Sequence, residues 1–326
     1  MTVDHLTLEV RNLSLFIQSE GVDKTIFEEV SFNFSASSLL AIVGESGGGK
    51  SLLCKSLLRL TPGNARLSGS AVLSGLPTPI DLISCSESEM ESIRGRRIGM
   101  IFQEPASSMN PVMTCGKQIF DALPKNVRSD KLLARRRIAE LLEFVGFKEP
   151  NRIARSYPHE LSGGMLQKVA TVLAIAGEPL ILIADEPSTA LDAINRFELM
   201  ELFQRLRKEF GMSILWVTHE LRSALTYADE LLVLYDGNMM ESGKAAEIAE
   251  HPKHPYTKAL MDVEKSFREP DGPRPIPEEI LPAENRSAGC VFAGRCEFAK
   301  PICRIERPKW ESGENRHGWR CHFPLK

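Results

Sequence analysis

The residues best suited to chemistry in this 326-residue chain form a glycine-rich segment, Gly44–Ser51, which reads Gly-Glu-Ser-Gly-Gly-Gly-Lys-Ser. The segment fits the pattern G-x-x-x-x-G-K-[ST] and lies directly between an apolar stretch and a predicted helix. Glycines let such a loop wrap so that its N–H groups face phosphate oxygens, and the N-terminus of the following helix adds partial positive charge. The sequence therefore predicts a nucleotide phosphate site here, and this explains the pattern and its flanks better than an ordinary glycine turn.

Two side chains of this segment have predicted roles beyond wrapping the phosphates. Lys50 can reach the β- and γ-phosphates, and the hydroxyl of Ser51 can bind Mg²⁺. The predicted nucleotide-binding residues are Gly44, Glu45, Ser46, Gly47, Gly48, Gly49, Lys50 and Ser51.

A second candidate is the carboxylate pair Asp185 and Glu186, which follows the unbroken apolar run 180–184. Such a run is typical of a parallel strand buried on both faces, and open α/β sheets bind ligands at the carboxyl ends of their strands. We predict that Asp185 holds Mg²⁺ through its water shell and that Glu186 polarises the attacking water as a general base. A solvated Asp-Glu pair that caps a strand is the alternative, and the glycine-rich segment makes it the weaker one.

Alternating strands and helices must position these residues. Hydrophobic patterning predicts strands at 6–17, 30–34, 39–43, 98–102, 180–184 and 213–217, and helices at about 50–60, 113–147, 165–176 and 193–208. This alternation predicts an α/β fold with a parallel sheet and helices on its faces.

Composition excludes several classes of protein. The net charge of −3 gives no reason to expect binding to nucleic acid. No stretch approaches the roughly 18 consecutive apolar residues of a spanning helix, and the first residues lack the basic start of a secretion signal. We therefore expect a cytoplasmic protein that contacts a membrane only through partners.

Further motifs make the chain resemble the ATP-binding subunits of ABC transporters. Leu161-Ser-Gly-Gly-Met165 is similar to the ABC signature motif, and Gln103 resembles the Q-loop glutamine. Ser188-Thr-Ala-Leu-Asp192 resembles the D-loop, and His219 resembles the switch histidine. With the two segments above, these motifs stand in the family's order, and the resemblance implies a P-loop NTPase fold of the ABC type with a helical subdomain.

The resemblance also implies how the site works. Two such domains sandwich two molecules of ATP, so that Ser162, Gly163 and Gly164 contact a nucleotide held mainly by the partner. His219 would hold the γ-phosphate and the water, while Gln103 would sense Mg²⁺ and report to the transmembrane subunits. Asp192 belongs to the same set of nucleotide-site residues. Phe16 is the candidate for stacking on adenine, although a phenylalanine of the core is nearly as good an explanation.

Four of the seven cysteines, Cys290, Cys296, Cys303 and Cys321, crowd into the last 37 residues. In a reducing compartment such a cluster indicates a metal site before disulfides, and four thiolates suit zinc or an iron–sulfur cluster. The cysteine spacing, together with His254-Pro-Tyr-Thr257, resembles the C-terminal region of oligopeptide/dipeptide importers, which implies a 4Fe–4S cluster. Zinc and unmetallated thiols or disulfides stay open, and His317 and His322 are possible substitute ligands.

Taken together, the sequence predicts an ABC nucleotide-binding domain over 1–266 with its helical subdomain at about 103–177. A proline-rich linker follows over 267–287, and a four-cysteine module over 288–326. The expected function is ATP hydrolysis that powers import of di- or oligopeptides. A nickel, metallophore or antimicrobial-peptide importer is the alternative, and a soluble ABC ATPase acting on DNA or ribosomes is a distant one.

The resemblance implies partners as well. They are a second ATPase subunit in a heterodimer, two permease subunits and an extracytoplasmic substrate-binding protein. The expected location is the cytoplasmic face of the plasma membrane.

Overall fold

The computed structural model describes residues 6–19, 22–188, 192–266, 276, 288–313 and 316–326. The strands are β1 (Thr7–Ser19), β2 (Val22–Phe34), β3 (Leu39–Val43), β4 (Ala65–Ser74), β5 (Ile80–Asp81), β6 (Ile98–Ile101), β7 (Ile181–Asp185), β8 (Ser213–Thr218), β9 (Glu230–Tyr235), β10 (Asn238–Lys244), β11 (Glu311–Ser312) and β12 (Gly318–Trp319).

The helices comprise long amphipathic segments and several single turns. They are α1 (Lys50–Leu57), α2 (Glu87–Ile93), α3 (Pro105–Ser108), α4 (Cys115–Ala122), α5 (Lys125–Arg128), α6 (Lys131–Phe144), α7 (Pro150–Arg155), α8 (Gly163–Ile175), α9 (Ala193–Phe210), α10 (Leu221–Tyr227), α11 (Ala245–Glu250), α12 (Pro255–Ser266) and α13 (Pro301–Ile305), with a 3₁₀ turn at Pro158–Glu160. None of the helices in the described part of the chain has the length and apolar character needed to cross a membrane.

The chain forms two compact units, each assembled from separated segments. The helical unit comprises Met1–Leu8, Ser35–Ser38 and Leu73–Val217. The phosphate-loop unit comprises Glu9–Phe34, Leu39–Val72 and Thr218–Lys326.

In the helical unit, β6, β7 and β8 run parallel, with Ile98 opposite Ile181 and Ile181 opposite Ser213. Every residue of β6 and β7 is buried, as expected for strands covered on both faces. Helix α8 packs closely on β6, since a Cβ atom at Gly99 would lie only 2.2 Å from the carbonyl oxygen of Ala174. Because β6 and β7 end at the same edge, the residues that follow them are brought together there.

In the phosphate-loop unit, β3 runs parallel to β9, and β9 pairs antiparallel with β10. Strand β12 pairs with β10, with Glu241 opposite Trp319, and β11 pairs with β12. The described residues from 288 to the C-terminus, which we call the tail, therefore extend the sheet that carries the phosphate loop.

The predicted α/β fold with buried parallel strands and alternating helices is confirmed. The stretch 113–147, predicted as mostly helical, is divided into α4, α5 and α6, because Pro124 follows α4 and Asp130 caps α6. The domain boundaries at 266 and 288 stay predictions, and the compact units divide the chain differently. The predicted linker 267–287 lies outside the described residues except for Ile276.

Candidate functional site

The phosphate loop, Gly44–Ser51, joins β3 to α1 in a shape that its glycines make possible. Gly44 has a φ of +153°, and a Cβ atom there would lie 2.0 Å from the carbonyl oxygen of Leu234. Gly49 precedes α1 with a φ of +86°, in the left-handed region that favours glycine. The loop thus turns tightly into the helix and places its N–H groups at the helix N-terminus, as binding of an anion requires.

Lys50 is buried, with 3% of its surface exposed, although it carries a charge. Its Nζ donates hydrogen bonds of 2.9 Å to the carbonyl oxygen of Gly44 and 2.8 Å to that of Glu45. The ammonium group is therefore folded over its own loop, where phosphate oxygens can replace these carbonyls as acceptors. The residues present fit a nucleoside triphosphate.

Glu45, the second residue of the loop, makes contacts that the sequence did not reveal. Its N–H donates to the hydroxyl of Tyr256 at 3.0 Å, and its carboxylate accepts two hydrogen bonds from Arg295 of the tail at 2.7 and 2.9 Å. The only sequence signal was that Arg295 stands between two of the clustered cysteines.

At the edge of the helical unit, Asp185 ends β7 and is fully buried, and Glu186 is 8% exposed. Glu186 adopts a φ of +44°, a conformation that costs a non-glycine residue about 1–3 kcal/mol. Its N–H donates to the carbonyl oxygen of Val217 at 3.1 Å, which holds this strained turn. The Nε2 of Gln103 donates to its carboxylate at 3.3 Å. The structure thus unites two of the predicted catalytic residues, Gln103 and Glu186.

The signature turn, Ser162–Gly164, begins helix α8. Ser162 caps the helix, since its hydroxyl accepts a hydrogen bond from the N–H of Met165 at 3.4 Å. Ser162 and Gly163 are exposed, and a Cβ atom at Gly163 would meet nothing within 4 Å. A helix of 13 residues therefore begins at an exposed turn, and a helix N-terminus favours an anion.

Asp192, the last residue of the predicted D-loop, caps helix α9 in the same unit. Its carboxylate accepts hydrogen bonds of 2.8 and 2.9 Å from the backbone N–H and the side-chain amide of Asn195. The side-chain oxygen of Asn195 in turn lies 3.3 Å from the position that a Cβ atom at Gly164 would take. The signature and D-loop motifs are thus neighbours, while residues 189–191 between Ser188 and Asp192 lie outside the described residues.

His219 and Phe16 belong to the phosphate-loop unit. His219 is exposed and follows β8 directly. Phe16 is half-buried on β1, and the guanidinium carbon of Arg66 lies 4.9 Å from the centre of its ring. One face of the Phe16 ring thus already stacks on a cation, and adenine stacking stays a prediction.

The four cysteines of the tail are free thiols that line one cavity. Burial, together with the neighbouring thiols, raises the pKa of Cys290 to about 12 and that of Cys321 to about 11. Burial also raises the pKa of Cys296. At neutral pH the thiols of Cys290, Cys296 and Cys321 are therefore protonated unless a metal stabilises the thiolate form.

His254, from the His-Pro-Tyr-Thr motif, lines the same cavity and is 1% exposed. Its Nδ1 accepts a hydrogen bond from the N–H of Tyr256 at 3.0 Å, which leaves the proton on Nε2. Burial lowers the pKa of His254 to about 4, so the ring is neutral.

Within the part of the chain that the structure describes, no group of three or more His, Cys, Asp or Glu residues is arranged to hold a single metal ion. The two histidines named as substitute ligands have other partners. His317 is buried and its Nε2 lies 2.7 Å from Glu241, and Nε2 of His322 lies 2.9 Å from the carbonyl oxygen of Glu306.

Two family models match the chain. Residues 27–189 match the model described as ABC transporter, and residues 240–303 match the model described as oligopeptide/dipeptide transporter, C-terminal region. The first covers the phosphate loop, the signature turn and the carboxylate pair. The second covers the His-Pro-Tyr-Thr motif and three of the four clustered cysteines.

Similar proteins extend this likeness over nearly the whole chain. A putative peptide import ATP-binding protein from Brucella ovis is 36% identical over 324 residues, covering 96% of each chain. Another, from Brucella melitensis, is 40% identical over 303 residues, covering 92% of this chain and 90% of the relative. A solved ATP-binding cassette, dimeric and bound to ADP and Pi after hydrolysis, has a TM-score of 0.65 and 26% identity, and covers 73% of this chain and 98% of its own.

Proposed function

We propose that this chain, which belongs to the ABC transporter family and is an ATP hydrolase, powers the import of peptides across the plasma membrane. The observation that carries this proposal is the phosphate loop with its folded-back lysine, in a chain whose C-terminal region matches that of oligopeptide/dipeptide transporters.

The phosphate loop binds the triphosphate of ATP in this proposal. Lys50 exchanges its two carbonyl acceptors for phosphate oxygens, so little reorganisation of the loop is needed. The hydroxyl of Ser51, the carboxylate of Asp185 and the side-chain oxygen of Gln103 are the oxygen donors that Mg²⁺ prefers. When bound, Mg²⁺ neutralises charge that develops on the phosphates.

Glu186 is the general base for the water that attacks the γ-phosphate. The strained turn directs its carboxylate out of the strand, where the amide of Gln103 orients it. His219 holds the γ-phosphate and the water. The attacking water loses its proton to Glu186 as the bond between the β- and γ-phosphates breaks.

A second ATPase subunit completes each site, and we propose a heterodimer. Ser162, Gly163 and Gly164 form the N-terminal turn of α8, which suits the γ-phosphate of a nucleotide that the partner holds. Asp192 lies beside the signature turn and contributes to the same face.

Peptide cargo is supported by the names of the relatives and by the C-terminal region. Two permease subunits and an extracytoplasmic substrate-binding protein complete the proposed importer, and this chain lies at the cytoplasmic face of the membrane. Uptake of a labelled tripeptide tests the assignment in a strain that lacks the gene. The wild-type chain should restore uptake and Asp185→Asn should not, whereas restored uptake of labelled nickel without tripeptide would overturn the peptide assignment.

The four tail cysteines are proposed to hold a 4Fe–4S cluster. Their support is that all four cysteines line one cavity, and four sulfur donors are the usual ligand set of such a cluster. Such a group supplies structural stability to the tail when bound. Protein purified without oxygen should contain iron and absorb visible light broadly, whereas a colourless preparation with one zinc would overturn the cluster.

A further inference from the structure

The side chain of Arg295 joins the tail to the phosphate loop. Its Nη1 donates to Oε2 of Glu45 at 2.7 Å and its Nη2 donates to Oε1 at 2.9 Å, a two-pronged contact of guanidinium and carboxylate. Such paired, charge-assisted bonds fix orientation as well as distance. The side chain of Arg295 is 14% exposed and that of Glu45 is 40% exposed, so solvent screens the pair from the Glu45 side.

Arg295 is itself held in place by the aromatic side chains around it. Its Nη1 also donates to the hydroxyl of Tyr235 at 3.1 Å, and its guanidinium carbon lies 5.6 Å from the centre of that ring. Phe292 of the tail packs against both Tyr235 and Tyr256, with ring centres 5.2 Å away in each case. Arg295 therefore approaches the loop from a fixed position.

Glu45 is consequently restrained at three of its groups: the N–H, the carbonyl and the carboxylate. Tyr256 accepts from its N–H, Lys50 donates to its carbonyl oxygen, and Arg295 binds its carboxylate. Both Tyr256 and Arg295 belong to the region that matches the oligopeptide/dipeptide transporter model. This region thus contacts the loop at the residue that follows its first glycine.

The charge of Glu45 gives this contact a consequence for nucleotide binding. A carboxylate on a loop that receives a triphosphate repels the ligand, and the repulsion is strongest where water is partly excluded. Arg295 cancels this charge, and the hydrogen bonds to Glu45 raise the pKa of Arg295, so the guanidinium stays charged.

We propose that Arg295 is a positioning residue of the ATP site, which acts from the tail by neutralising Glu45 on the phosphate loop. This inference rests on the proposed phosphate site, and it assigns to the C-terminal region a role in nucleotide affinity.

Arg307 provides a matched control within the same tail. It donates to Glu28 at 2.7 Å and to the side chain of Asn238 at 2.8 Å. Like Arg295, it therefore joins the tail to another part of the phosphate-loop unit through a carboxylate. Neither partner belongs to the phosphate loop. A general loosening of the tail should affect Arg307→Gln and Arg295→Gln alike, whereas a role in positioning the loop should affect only Arg295→Gln.

The experiment measures the affinity of the full chain for MgATP by calorimetry in four variants and the wild type. Arg295→Gln should weaken binding about tenfold, as expected for loss of hydrogen bonds to a charged group. Arg307→Gln should leave affinity within about twofold of wild type. The double variant Arg295→Gln/Glu45→Gln should regain most of the lost affinity, because the uncancelled carboxylate is gone. Lys50→Ala, the fourth variant, tests the phosphate site itself.

The outcomes separate the two proposals. Unchanged affinity in Arg295→Gln, with loss in Lys50→Ala, overturns the positioning role and leaves the phosphate site standing. Unchanged affinity in both variants overturns the phosphate site. Failure of Glu45→Gln to restore binding to Arg295→Gln also overturns the inference, because a merely structural defect cannot be repaired by removing the carboxylate.

Discussion

The phosphate loop and the signature turn both present N–H groups at the start of a helix, but their surroundings differ. The phosphate loop is restrained by Tyr256 and Arg295, and its lysine is buried. The signature turn is more exposed: Ser162 caps its own helix, and Gly164 lies beside the side chain of Asn195. A loop that is held in place by contacts within its own chain is suited to bind a ligand by itself. An exposed turn is suited to act only when a partner brings the ligand.

The largest effect should come from Glu186→Gln in the assembled complex. Removing the base should lower ATP turnover by at least about a hundredfold, with ATP affinity almost unchanged. Glu178→Gln is the matched control, because Glu178 is also a glutamate with positive φ in the same unit but pairs with Arg137 at the surface. Normal turnover in Glu186→Gln would remove this residue from the role of base.

Lys50→Ala should have the next largest effect, on ATP affinity, and would test the phosphate loop directly. Loss of one charged partner of the phosphates costs about 2 kcal/mol or more, which corresponds to roughly thirtyfold weaker binding of ATP to the isolated chain. Lys55→Ala in the same helix should bind ATP normally. Titration with a fluorescent ATP analogue measures both, and equal affinities would contradict the phosphate site.

Gly163→Leu should separate the signature turn from the phosphate loop. Since a Cβ atom at Gly163 would meet nothing within 4 Å among the described residues, ATP binding to the isolated subunit should be normal. Association with the partner ATPase and turnover of the complex should fall about tenfold, because the added side chain fills the space that a nucleotide needs. Gly63→Leu, another glycine with open space around it, is the control. Normal association in Gly163→Leu would show that the exposed turn has no partner.

Ser162→Ala should have the smallest effect. Loss of the helix cap should lower the free energy of unfolding by about 1 kcal/mol, which thermal or urea unfolding of the isolated chain can measure. ATP affinity of the isolated chain should not change. A larger loss of stability would mean that the signature turn supports more of the fold than its exposure indicates.

The strands that end at the site were predictable because their residues are unambiguous. Strand β3 lies at the predicted residues 39–43, and β7 and β8 lie within one residue of the predicted strands, since unbroken apolar runs between turn residues favour buried parallel strands. The glycine pattern likewise predicted the loop, and glycine is needed at Gly44, where a side chain would collide with Leu234.

Other features could not be predicted from local patterns. The pairing of β12 with β10 joins residues far apart in sequence, and two-residue strands have no periodicity to detect. The hydrogen-bonded ion pair of Arg295 and Glu45 joins residues 250 positions apart, and neither residue type indicates which residue it will contact. The left-handed backbone conformation of Glu186 could not be predicted from the sequence either, because glutamate does not favour that conformation.

The sequence by itself determined the chemistry available to this protein: a wrapped loop with a lysine, a carboxylate pair after a buried strand, and four thiols near the C-terminus. Residue types and short spacings encode such features locally. Only the tertiary structure decided that Gln103 contacts Glu186 and that Arg295 of the tail contacts the phosphate loop. Those contacts arise where sheet topology brings distant segments together, and topology is set by packing of the whole chain.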